Sequence, residues 1–142
     1  MKKKVNIQYQ IKSIELVEAS MTPPKDQSSP TRTYQYNINI EHRIIPDKKW
    51  FFVMVTINIL DDANNMKLGH VKAVVNFAIN NFDEFLDANN KTKINLPEEM
   101  ITVFNSISIS TTRGIMFSQF KGTYLHNAIL PILDPKSFKK EK

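Results

Sequence analysis

The sequence predicts an α+β domain in which four antiparallel strands are followed by one long helix. Apolar and polar residues alternate in four segments before residue 81, and turn-forming or Pro-rich segments separate these strands. Apolar residues with helical spacing begin only after residue 95. The 142 residues, 42% of them apolar, suffice for one domain with its own core. We therefore expect a single domain spanning residues 1–142.

The first strand is predicted over residues 5–17. Its apolar residues occupy alternate positions up to Ile11 and then change phase at Ile14, which indicates a bulge near residues 12–13. The following segment, residues 20–33, contains three prolines, which cannot donate a hydrogen bond to a sheet. This segment is therefore predicted to be a long connection and not a hairpin.

The next three strands are predicted to be joined by short turns. Residues 34–40 alternate strictly, as in a strand with one buried face, and Pro46-Asp47 supplies a turn. Residues 50–60 begin apolar on both faces, which predicts a central strand. Residues 61–65 close a hairpin to the fourth strand, whose apolar residues alternate over 71–79.

The helix is predicted to begin with Asn95 as its N-cap, with Glu98 bonding back to it. Its serines and threonines at 106–112 are poor helix formers and partly alternate with isoleucine, so a strand is the alternative there. Gly122 can end the helix, and Asp134-Pro135 can start a short second one. The expected apolar stripe of the helix consists of Ile101, Phe104, Ile107 and Ile115.

The positive charge is concentrated at the two ends of the chain. The net charge is +5, but the lysines at residues 1–4 and 136–142 account for it and leave the body nearly neutral. We expect these ends to be mobile tails and predict no nucleic-acid site, which needs clustered cations on folded structure. No apolar run is long enough to span a membrane, and no apolar segment follows the basic start. The expected location is cytoplasmic, without membrane insertion.

The sequence lacks the residue patterns of the common catalytic and cofactor sites. It has no cysteine, which excludes disulfides, thiolate metal ligands and cysteine nucleophiles. The three histidines are isolated, the paired carboxylates fall at turns or at the helix start, and three glycines cannot build a phosphate-binding loop. We therefore predict no enzyme activity, no metal site and no cofactor.

Apolar side chains remain that one small core need not absorb. Methionines and aromatic residues suit adaptable binding of varied partners, although core packing and subunit contact are the alternative for each of them. Together with the family resemblance described next, they predict a peptide-binding groove lined by Trp50, Phe52, Met54, Met116, Phe117, Phe120, Tyr124, Leu125 and Leu130.

One stretch near the C-terminus resembles a known family. Residues 110–117, which include Arg113-Gly114, together with Gly122 and residues 130–138, resemble the SecB family of preprotein chaperones, particularly its divergent SecB-like members. The order of four strands before a helix is also that of the family.

The resemblance implies a four-stranded Greek-key sheet with the long helix packed on it, and a homotetramer built as a dimer of dimers. It implies that unfolded or precursor polypeptides bind in apolar grooves, with the crossover from Ile115 to Leu130 as one wall. The small residues of the helix would form the oligomer interface. These residues are Ser106, Ser108, Thr111 and Thr112.

Three departures from the family distinguish this chain. SecB proteins are typically acidic and commonly bind zinc through cysteines of their tails, whereas this chain has basic ends and no cysteine. The second helix is also reduced to a stub, so these departures argue against contact with the SecA motor. The leading hypothesis is an ATP-independent holdase, particularly for preproteins of Sec export. The alternatives are a dedicated chaperone of a toxin–antitoxin system and a non-chaperone assembly module.

Overall fold

The four strands form one antiparallel sheet in Greek-key order. The computed structural model describes residues 8–22 and 33–133. Its strands are β1 (Tyr9–Met21), β2 (Tyr34–Ile45), β3 (Trp50–Asp61) and β4 (Lys67–Ile79). Their order in the sheet is β1-β4-β3-β2. Strands β2 to β4 follow one another as hairpins and β1 returns to lie beside β4, so the expected Greek-key order is confirmed.

The two hairpins form where the sequence predicts turns. A short 3-10 helix at Pro46–Lys48 joins β2 to β3, and Lys49 follows it with a φ of 62°. Between β3 and β4, Asn65 takes a φ of 58°, a conformation that asparagine adopts more readily than most residues. The register places Ile38 opposite Ile57. The alternating apolar residues of β2 and β3 consequently share one face of the sheet, the inner face.

Strand β1 contains two bulges, one predicted and one not. The register shifts between Ile11 and Ser13, as the change of phase predicts, and again between Leu16 and Glu18. Each bulge restores the apolar residues to the inner face, since Ile14 pairs with Val75 after the first. The strand ends at Met21 and not near residue 17. Residues 5–7 of the predicted strand lie outside the described residues.

Helix α1 (Glu98–Phe120) packs on the inner face over β3 and β4. Phe104 connects the two layers, with ring centroids 4.4 Å from Phe77, 5.4 Å from Phe51 and 5.0 Å from Tyr9. The largest fully buried side chains are Phe77, Phe82, Phe104, Ile57, Ile59, Leu68, Ile79, Met116, Leu125, Leu130, Val53 and Val55. The core is therefore one layer between the sheet and the helix.

The start of the helix differs from the prediction. Asn95 is not its N-cap, because its backbone N–H donates to the carbonyl of Phe85 and holds it in the preceding loop. Pro97 occupies the N-cap position without a side-chain hydrogen bond, and its carbonyl accepts from Met100 and Ile101. The other end is confirmed: Gly122 follows the helix with a φ of 80°.

The Ser- and Thr-rich stretch is helical, and two of its hydroxyls are buried against the sheet. Ser108 Oγ donates to the carbonyl of Phe104 and Thr112 Oγ1 to that of Ser108, each at 2.7 Å. These bonds to the preceding turn satisfy the hydroxyls, so polar residues can lie in the core layer. Of the expected apolar stripe, only Phe104 is fully buried. The buried positions of α1 are Phe104, Asn105, Ser108, Ile109, Thr112, Met116 and Phe120.

Two expectations fall on parts of the chain that are not described. The short second helix at Asp134-Pro135 and the lysine-rich ends at 1–4 and 136–142 lie outside the described residues. Within the described part of the chain, no helix is long and apolar enough to cross a membrane.

Candidate polypeptide-binding surfaces

After α1 the chain folds back against the helix as a strap, residues 121–133. The strap has turns of its own, in which Thr123 N–H donates to Phe120 and His126 N–H to Thr123. Leu125, Ala128 and Leu130 of the strap are buried in the core. The crossover expected from Ile115 to Leu130 therefore begins later, because the helix continues to Phe120.

Tyrosine side chains fix the strap at one end of the sheet. The Tyr124 hydroxyl lies within hydrogen-bonding distance of the carbonyl oxygens of Leu68, at 3.1 Å, and of Thr22. Tyr34 Oη donates to the Tyr124 carbonyl at 3.3 Å. The first turn of the strap therefore lies where β2 and β4 begin.

Arg113 fixes the other end of the strap. Its Nε donates to the carbonyl of Leu130 and its Nη2 to that of Pro131, both at 2.9 Å, and its Nη1 lies 3.4 Å from Ser110 Oγ. A guanidinium presents several donors in one rigid plane, which suits two successive carbonyls. The Arg113-Gly114 pair of the resemblance thus includes a residue that positions the strap.

Replacing Arg113 by alanine should lower the free energy of unfolding by about 1–2 kcal/mol, because two hydrogen bonds from a charged donor are lost at a half-buried site. Urea denaturation measures the change. Lys121→Ala is the matched control, since that side chain is exposed where the strap begins. Equal stability of the two variants would show that the Arg113 bonds do not hold the strap.

The residues of the predicted groove fall into two groups, of which one surrounds the strap. Met116, Phe120, Leu125 and Leu130 are buried in the core. Tyr124 is half-buried, and Phe117 is 41% exposed, with its ring 5.5 Å from that of His126. Of this group, Phe117 offers the largest exposed fraction to a partner.

The second group lies on the other side of the sheet. Phe51, Val53 and Val55 point to the core, so the alternate residues Trp50, Phe52 and Met54 point away from α1, on the outer face. Trp50 also starts β3, whereas the strap contacts the beginning of β4. The sheet therefore separates the two groups within one chain, and peptide binding by these nine residues stays a prediction.

An exposed apolar row on β1 was not predicted as a site. Tyr9, Ile11, Ile14, Leu16 and Met21 share the inner face, yet each is 37–47% exposed. A helix about 10 Å wide covers about two strands spaced ~4.8 Å apart, and α1 lies over β3 and β4. Apart from Tyr9, whose ring contacts Phe104, the row on β1, here called the β1 row, therefore has no cover within the described part of the chain. The edge of β1 that faces away from β4 pairs with no strand among the described residues.

The predicted interface residues of α1 also fall on two sides of the helix. Ser108 and Thr112 are fully buried against the sheet, whereas Ser106 and Thr111 are half-buried. Their part in an oligomer interface stays a prediction. A line of small residues four apart, which shares Ser106 with this set, follows the side of α1 away from the sheet. These residues are Ser106, Ser110, Gly114 and Ser118.

The histidines of the described chain have structural partners. His42 Nε2 lies 2.7 Å from Asn105 Oδ1, and His70 bridges strands through Asn58, at 2.7 Å, and Glu18, at 3.3 Å. No group of three potential metal ligands occurs among the described residues. Burial raises the pKa of the Tyr36 phenol, and the neighbouring Tyr34 raises it further. The histidine contacts join strands to one another and to the helix.

The sheet order and the long helix α1 packed over β3 and β4 make this a SecB-like fold. No family model and no curated protein sequence matches the chain. Among solved structures, it is similar to the Mycobacterium tuberculosis SecB-like chaperone Rv1957, in complex with a ChAD peptide from the Rv1956 HigA1 antitoxin. The TM-score is 0.58 over 88% of this chain and 90% of that chain, at 15% sequence identity. At this identity the likeness establishes the fold.

Proposed function

We propose that this protein is an ATP-independent chaperone that binds non-native polypeptides and catalyses no reaction. The observation that carries the proposal is the β1 row, five large apolar side chains exposed along an edge strand. Long apolar edge strands promote association, and soluble proteins normally cover them. A polypeptide, whether a client or a second copy of this chain, is the natural cover because it supplies both apolar side chains and backbone hydrogen bonds.

An aggregation assay tests this function. The purified protein, at a stoichiometric amount and without nucleotide, is expected to suppress aggregation of a reduced, denatured client and to slow its refolding. The same mass of an unrelated small protein controls for crowding. Unchanged aggregation and refolding would contradict the chaperone function. Suppression of aggregation for a broad range of clients would support the expected role in preprotein export.

A dedicated antitoxin chaperone is the second candidate. It is supported by the similar fold of Rv1957, whose partner in the solved complex is an antitoxin peptide. The basic ends and absent cysteines, which depart from general SecB proteins, also favour it. Co-purification from the native host separates the two: one dominant partner supports the dedicated role, and a mixture of precursors supports general export.

We further propose a homotetramer built as a dimer of dimers, which needs two different self-complementary surfaces. The open edge of β1 supplies one, and the small-residue line of α1 supplies the other, since small side chains let two helices approach closely. If both surfaces serve only assembly, the protein is an assembly module. A native oligomer that binds no apolar-surface dye would favour that alternative.

Gly114→Ala distinguishes a helix interface from a free helix face. Nothing lies within 4 Å of the position that a Cβ would take, and alanine favours a helix by about 1 kcal/mol, so the isolated subunit should become more stable. At a close helix–helix contact the same methyl group should weaken assembly about tenfold. Sedimentation over a concentration series measures this, with Ser118→Ala, which lies on the same line and adds no volume, as the control. Unchanged assembly would place the interface elsewhere.

A further inference from the structure

The outer face of the sheet is apolar over one half and polar over the other. At the end of the sheet where Trp50 lies, apolar residues of β2 and β4 adjoin Trp50, Phe52 and Met54 on this face. This outer patch consists of Ile45, Trp50, Phe52, Met54, Val74 and Ala78. The next rows carry polar residues such as Asn39, Thr56 and Lys72. Helix α1 lies on the other face, so no helix or strand of the described chain covers the patch.

A buried acceptor without a donor lies within the outer patch. Asn76 sits between Phe52 and Ser13 in the register and is 3% exposed, and its Oδ1 has no hydrogen-bond partner. An unmade hydrogen bond at a buried amide is costly to the free protein, and few such groups persist in folded proteins. Asn76 Oδ1 is therefore an acceptor that a donor from a bound partner could satisfy.

Cations border the aromatic end of the outer patch. Lys48 Nζ lies 4.7 Å from the centre of the Trp50 ring, and the exposed Arg43 lies opposite Phe52 in the register. Within the described chain Arg43 forms no salt bridge, whereas Lys49 pairs with Asp83. Carboxylates lie in the next row, at Glu41 opposite Met54 and at Glu15 opposite Val74, and Asp47 lies in the turn. The cross-strand neighbours of Trp50 and Phe52 include no carboxylate, and cations lie beside both rings. This end of the patch therefore favours a partner with negative charge.

We propose that the outer patch binds an extended polypeptide segment in which aromatic or aliphatic residues alternate with carboxylates. An apolar side chain packs on Trp50 and Phe52, an N–H of the segment donates to Asn76 Oδ1, and a carboxylate faces Arg43 and Lys48. Because Oδ1 is covered in the free chain, binding includes a rotamer change of a neighbouring side chain. The proposal rests on the proposed chaperone function and specifies the client segment it takes on this face.

The only tryptophan of the protein reports on this face. A short peptide in which Phe and Ile alternate with Asp, titrated into the full chain, should shift the Trp50 emission to shorter wavelength and saturate. The same peptide with Lys at the Asp positions should bind about tenfold more weakly at low salt. Binding measured by calorimetry without any change in Trp50 emission would overturn the proposal, because the peptide would then lie elsewhere.

Two variants and a matched control test the named contacts. Asn76→Leu should raise Tm by a few degrees, because the unmade hydrogen bond is removed, and should weaken the Asp peptide at least about fivefold. Arg43→Gln should weaken the Asp peptide but not the Lys peptide. Lys72→Gln, on the same face outside the patch, should leave both affinities unchanged. If Asn76→Leu binds the Asp peptide as tightly as the wild type, Asn76 takes no part and the proposal fails.

The outcomes for the outer patch and for the chaperone function are separable. If the wild-type protein suppresses client aggregation while Trp50 does not respond to the peptide, the function stands and the outer patch is not its site. If Trp50 responds but aggregation is unaffected, the patch binds a partner segment and the chaperone function fails.

Discussion

Phe104→Ala should lower the free energy of unfolding by about 3–5 kcal/mol, a large part of the stability of a single domain. Phe104 is fully buried, stacks on Phe77 at 4.4 Å and contacts the rings of Phe51 and Tyr9. Its removal leaves a cavity where α1 meets three strands, and the closely packed surroundings fill such a cavity only in part. Urea denaturation followed by circular dichroism measures the loss.

Phe117→Ala provides the matched control for Phe104. It deletes the same atoms from the same helix, but Phe117 is 41% exposed and not part of the buried core, so a change below about 1 kcal/mol is expected. If the two variants unfold at the same urea concentration, Phe104 does not join helix and sheet as described. Phe104→Leu should fall between them, because it retains part of the buried volume.

Replacing Ile14 and Leu16 together by lysine should abolish the holding of denatured clients while lowering Tm by only a few degrees. The two side chains are 47% and 40% exposed in the single chain, and the aliphatic stem of lysine can keep part of the remaining contact. Two charges in an apolar contact with another polypeptide are poorly solvated and repel an apolar partner, which should weaken binding more than a hundredfold. Aggregation suppression and sedimentation are measured on the same samples.

The control for the β1 row adds the same charge to the other edge of the sheet. Asn37→Lys with Asn39→Lys places two lysines on exposed positions of β2. Client holding and the mass of the assembly should remain those of the wild type. A smaller assembly for the Ile14 and Leu16 variant would assign the β1 row to contact between copies. An unchanged assembly that no longer holds clients would assign it to the client. Retention of both properties would remove the observation on which the proposed function stands.

Most of the fold follows from local patterns in the sequence. The alternation in β2, the turn at Pro46-Asp47 and the glycine after α1 each depend on neighbouring residues only, and all three are confirmed. The start of α1 depends instead on Phe85, whose carbonyl binds the backbone of Asn95. A capping motif read from sequence cannot include such a distant competitor.

The site was harder to predict, because it depends on which face and which strand the helix covers. Strand β3 is apolar on both faces near its start, so the sequence does not tell whether Trp50 or Phe51 faces the core. The nine predicted groove residues were therefore divided by the sheet. The β1 row has the pattern of an ordinary half-buried strand, and only the position of β1 at the edge leaves it open.

The Greek-key order also determines when each part of the sheet can form. Strands β2, β3 and β4 are joined by tight turns and can pair as soon as they are made, whereas β1 has its partner β4 two whole strands further along the chain. Closing such a long loop is entropically expensive, so β1 should pair after the three-stranded meander has formed. On a ribosome, the first strand to emerge would then be the last to dock, and its apolar row would remain unpaired throughout synthesis of the other three.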